Sequence, residues 1–127
     1  MTTRPSPAFV LRATADLYET NPAFWGRLYF RHWDTGCRCV MGGIAWIVDP
    51  ADSWADPEDT TLGSETVKLL ERYLTDELGW RPAVDAPDFT NGPLVGKWND
   101  SRSTVHEVIG TLREAARWAE AQTAVAS

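Results

Sequence analysis

Cysteine is scarce: the chain of 127 residues has two, Cys37 and Cys39. Neighbours two apart are poorly placed to bond each other, so no disulfide framework of the secreted kind can form, and both read as free thiols. Long apolar runs are lacking too. The longest uncharged stretch, Cys39 to Val48, has ten residues, against the roughly 20 of a spanning helix, so no membrane span is expected. The opening Met1-Thr-Thr-Arg-Pro-Ser-Pro leads into a segment with Arg12, Asp16 and Glu19 rather than an apolar signal core, and a cytoplasmic location is the expectation. Basic side chains are outnumbered 12 to 18, a net charge of -6, which argues against nucleic acid as a partner. There is no Gly-rich phosphate loop, no serine nucleophile elbow and no His-Glu-x-x-His zinc helix.

What is present fits one domain over residues 1–127, its core about 7–121: 43% of residues are apolar, 24% charged, and no repeat or biased tract interrupts them. Seven tryptophans are spread along the chain, suggesting several joints of one core. Ser6-Pro7 predicts a helix start, and Val10, Ala13 and Leu17 carry it to about Glu19, before Asn21-Pro22. Gly26 to Trp33, the turn Asp34-Thr35-Gly36 and Cys37 to Val40 predict a β-hairpin. Met41 to Val48 is apolar on every side and predicts a short buried helix stopped by Asp49-Pro50. Val67, Leu70, Leu74 and Leu78 predict a helix beginning between Thr61 and Ser64 and closed by Gly79. Residues 80–98, with three prolines and two glycines, read as an irregular loop packed down by its own apolar residues. Val105, Val108, Ile109, Leu112, Ala116 and Ala119 predict a last helix over about Ser103 to Ala121, capped within Asp100 to Thr104. The expected class is α+β and mainly helical: three main helices, one short buried helix and one hairpin.

Three features in order carry a resemblance. Trp25-Gly26 leads out of the first helix, Cys39-Val40-Met41-Gly42-Gly43-Ile44 opens the buried segment, and Trp98-Asn99-Asp100 stands before a helix with Thr104, Glu107 and Val108. Together they resemble a family of small uncharacterised proteins from actinobacteria and their phages that share Cys-x-x-Gly and Trp-Asn-Asp motifs, over roughly residues 8–118. Gly43 stands where the resemblance leads one to expect alanine, and the acidic segment from Asp49 to Thr61 is longer than usual. The resemblance implies a mainly helical fold and a phage or prophage setting. It assigns no catalytic residue.

Four residues, His32, Cys37, Cys39 and His106, are all the His and Cys available to a structural zinc site. A three-residue turn at Asp34-Thr35-Gly36 would point His32 away from both thiols; a two-residue turn at Thr35-Gly36 would set it across from Cys39. The first is preferred, because threonine disfavours positive φ, and neither a metal nor another cofactor is expected. A thiol nucleophile is the second possibility. Cys39 precedes a helix start whose dipole would lower its pKa, with His106 as base and Asn99 or Asp100 as orienter. For Trp98-Asn99-Asp100 the plain alternative is structural: a tryptophan anchor, a backbone-bonding Asn99 and an Asp100 that caps the last helix.

The acidic loop 49–61 and its flank offer the other surface. Asp49, Asp52, Asp56, Glu58, Asp59 and Glu65 lie in a stretch without Lys or Arg, and Trp54 sits among them. The leading expectation is a small non-enzymatic binding or regulatory protein that engages a host protein with a basic surface through Asp52, Trp54, Asp56 and Asp59, with Trp98 and Asn99 as further binding candidates. The same loop serving only as a solvated connection is an equal alternative. An enzyme or ligand-binding domain using Cys39, Asn99, Asp100 and His106 is the runner-up, and an acidic mimic of nucleic acid is permitted by charge alone.

Overall fold

Ser6 and Pro7 begin the first helix as their residue types require. The Ser6 hydroxyl accepts from the Phe9 amide at 3.1 Å, and Pro7 occupies the first helical position, where its missing N–H costs nothing. The computed structural model describes residues 5–27, 38–50, 56–82 and 94–126, and in it this helix, α1, spans Pro7–Thr20. A 3₁₀ turn follows at Pro22–Phe24. The other helices are α2 (Val40–Val48), α3 (Thr61–Arg72), which runs on into a π-helical turn at Tyr73–Glu77, α4 (Leu94–Asp100) and α5 (Val105–Ala126). A second 3₁₀ turn, Pro57–Asp59, leads into α3, whose cap is Thr60, accepting from the Gly63 amide at 3.0 Å. Gly79, at φ 63°, ends that helical stretch in the left-handed conformation that glycine adopts without strain.

Spacing decides which faces are buried. In α1 these are Ala8, Val10, Leu11, Thr14, Ala15 and Tyr18; in α5, Val108, Ile109, Leu112, Ala115, Ala116 and Ala119. The alanines of both helices allow close approach. Arg12 pairs with Glu120, and Arg113 with Asp16 and Glu19, which sets the two helices antiparallel. Helix α2 packs against α1 and α3 and is buried from Val40 to Ala45. A β-carbon at Gly43 would collide with the Tyr18 hydroxyl and come within 3.1 Å of Thr14 Cγ2. Glycine in place of the expected alanine thus belongs with the seat of Tyr18.

The α+β expectation is overturned. Among the described residues there is no strand and no sheet; the architecture is helical throughout. The hairpin expected between Gly26 and Val40 falls largely on residues 28–37, which lie outside the described residues, but both of its ends are described. There Trp25 and Arg38 form one isolated bridge of parallel sense, with Gly26 N donating to Arg38 O at 2.9 Å and Arg38 N to Phe24 O at 2.7 Å. Hairpin strands run antiparallel. The described ends are committed elsewhere: a 3₁₀ turn runs up to Phe24, Cys39 is the cap residue of α2, and what lies between Phe24 and Gly26 pairs with Arg38 in parallel sense only. Aromatic and β-branched residues favour strands only where neighbours form a pleated surface.

The second correction concerns the loop expected over 80–98. Its last part is α4, which buries Val95, Trp98 and Asn99 at helical spacing. Prolines and glycines around that short pattern hid it. Residues 83–93 lie outside the described residues.

Candidate functional site

Asn99 is fully buried, and its amide joins three segments. Oδ1 accepts from the Trp25 indole N–H at 2.7 Å and from the Val40 backbone N–H at 3.1 Å. Nδ2 donates to the Gly26 carbonyl at 3.0 Å and to Asp100 Oδ1 at 3.3 Å. The N–H of Val40 is one of the orphan donors at the start of α2, so Asn99 caps that helix from a distance in sequence. Helix α4 makes this possible by turning Trp98 and Asn99 inward together.

Tyr18 closes the other side. Its hydroxyl, buried at the end of α1, is shared between the carbonyls of Arg38 at 3.0 Å and Cys39 at 2.8 Å. Arg38 is itself only 2% exposed, its guanidinium lying 5.7 Å from the Phe24 ring centroid and 5.0 Å from that of Trp46 while donating to Gly42 O at 3.3 Å. A buried guanidinium stacked on two rings is an interior cation with aromatic solvation. The residues Phe24–Gly26 and Arg38–Val40 are therefore held by a backbone bridge, a tyrosine and an asparagine at once.

Cys39 sits inside this arrangement, at the cap position of α2. The expectation of a thiol acidified by the helix start is not met. Burial pushes the Cys39 thiol up to about 12; the Gly42 and Met41 amides pull it down by less, and the charge of Asp100 adds to the rise. At neutral pH it is a protonated apolar group. His106, in the first turn of α5, is exposed and makes no hydrogen bond to Cys39, so thiol and intended base are not brought together.

Asp100 does not cap the last helix. It ends α4, half-buried, and the hydroxyl of Thr104 takes the capping position, accepting from Glu107 N at 3.4 Å. Trp98 is 1% exposed, with the Arg102 guanidinium 5.4 Å from its ring centroid. Among the described residues no group of three His, Cys, Asp or Glu could hold a metal; His32 and Cys37 lie outside them. A surface depression lined by Pro5, Thr61, Leu62 and Glu65 takes in Glu65 of the acidic stretch and none of Cys39, Trp98, Asn99, Asp100 and His106.

On the acidic side, Asp52 and Trp54 lie outside the described residues. Asp56 caps the 3₁₀ turn Pro57–Asp59, its carboxylate accepting from Glu58 N at 2.9 Å, while Glu58, Asp59 and Glu65 are exposed. Glu71 on α3 faces the same turn: partial burial and the charge of Glu58 raise its pKa, against the pull of Lys68. None of Asp56, Glu58, Asp59 and Glu65 forms an ion pair among the described residues.

Tyr18 and Arg38 escaped the sequence reading of this centre, and Trp25 stands out there only with Gly26 as the exit from the first helix, not as a partner of Asn99. Tyr18 reads only as part of an apolar stripe. Arg38 carried a usable signal, a lone charge directly before ten uncharged residues.

The model of one protein family, described as a family of unknown function, DUF6197, matches residues 2–117. No curated protein and no solved structure matches the chain. No helix among the described residues is long and apolar enough to cross a membrane.

Proposed function

The chain belongs to the DUF6197 family, and we propose that it is a small binding or regulatory protein that performs no chemistry of its own and engages a basic surface of a partner protein through its acidic segment. The observation that carries this reading is a contrast in how polar groups are used. Asn99 and the backbone around Cys39 are engaged by internal hydrogen bonds, and the Cys39 thiol is buried and protonated. The carboxylates of Glu58, Asp59 and Glu65 instead face solvent, and among the described residues none of them is in an ion pair. An uncompensated field of one sign speeds encounter with an oppositely charged surface and excludes like-charged ones. Trp54 would supply the apolar area that charge cannot. In a phage or prophage setting the partner would be a host protein.

The experiment is affinity capture from host lysate followed by binding kinetics on the recovered protein. Neutralising Asp52, Asp56 and Asp59 to asparagine should slow association and flatten its salt dependence, since asparagine at position 56 keeps the turn cap. Trp54→Ala should mainly speed dissociation. Unchanged kinetics for both would leave the segment as a solvated connection and place any interface elsewhere.

A further inference from the structure

We draw no further inference here: the strongest candidate, the aromatic corner that Tyr73 of the π-helical turn forms with Trp118 of α5 at 5.8 Å, is a surface patch over which Arg72 already stacks, and nothing in the structure shows what partner would take that side chain's place.

Discussion

Replacing Asn99 with leucine tests the central joint, because leucine keeps the volume and removes every hydrogen bond. Four partners lose their counterpart: the Val40 amide, the Trp25 indole, the Gly26 carbonyl and, across a longer bond of 3.3 Å that contributes least, the half-buried Asp100 carboxylate. Val40 is fully buried, so its amide carries the full penalty of an unsatisfied group, about 1–3 kcal/mol. Trp25 and Gly26 are half-buried and reach water in part, so each loses about 0.5–1.5 kcal/mol, the net worth of one bond. The sum, about 2–6 kcal/mol, is a large share of the roughly 5–15 kcal/mol by which domains are stable. Urea unfolding followed by tryptophan fluorescence and by circular dichroism gives the value directly. A midpoint within error of the parent would refute the assignment. Asn99→Asp sharpens the test. The new carboxylate keeps the acceptor for Trp25 and Val40 but turns lone pairs toward Gly26 O and lies beside Asp100. Its pKa in the folded state should rise above the ordinary value of about 3.9, so the defect is present at neutral pH and shrinks as pH falls toward that value.

Gly43→Ala should destabilise by about 1–3 kcal/mol, because the added methyl meets the Tyr18 hydroxyl. Combined with Tyr18→Phe the loss should be smaller than the sum, which a double-mutant cycle measures. Trp98→Ala should cost roughly 3–5 kcal/mol, since the ring is 1% exposed; an unchanged melting temperature would contradict that burial. In a Cys37→Ser background, Cys39 should resist alkylation in the folded protein and react on unfolding. Its pKa is raised from 9.0 to about 12 by folding, so the stability linked to it is whole below pH 9.0 and is lost as pH rises towards 12. Cys39→Ala should flatten the loss over that window, and equal slopes for the two proteins would contradict it.

Local signals proved legible where they were decided locally. Ser6-Pro7, the stripe of α5 and the apolar stretch from Met41 to Val48 each produced a helix, the last beginning one residue earlier than expected, at Val40. The hairpin failed because β-propensity depends on a partner surface, and at its described ends the chain forms one bridge of parallel sense, Trp25 with Arg38, where a hairpin needs antiparallel pairing. Of the centre, Trp98-Asn99-Asp100 and Cys39 stood out in the sequence, yet their meeting with Trp25, Arg38 and Tyr18 spans up to 74 positions of separation, which spacing cannot encode. The acidity expected of Cys39 rested on the helix dipole. Burial, invisible in a short motif, outweighs it. The expected cap of α5 lies within Asp100 to Thr104, with Asp100 one candidate on residue type; α4 extends through Asp100, and Thr104 at the far end of that range takes the role.

The most direct measurement is quantitative capture from host lysate by the parent, by Cys39→Ala and by the protein with Asp52, Asp56 and Asp59 neutralised to asparagine, all shown to be folded by circular dichroism. If the protein acts through its acidic surface and without a reactive thiol, Cys39→Ala recovers the same basic partner in the same amount and the neutralised protein loses it. Recovery by the neutralised protein at the parent's level, or its loss by a folded Cys39→Ala, would contradict that account.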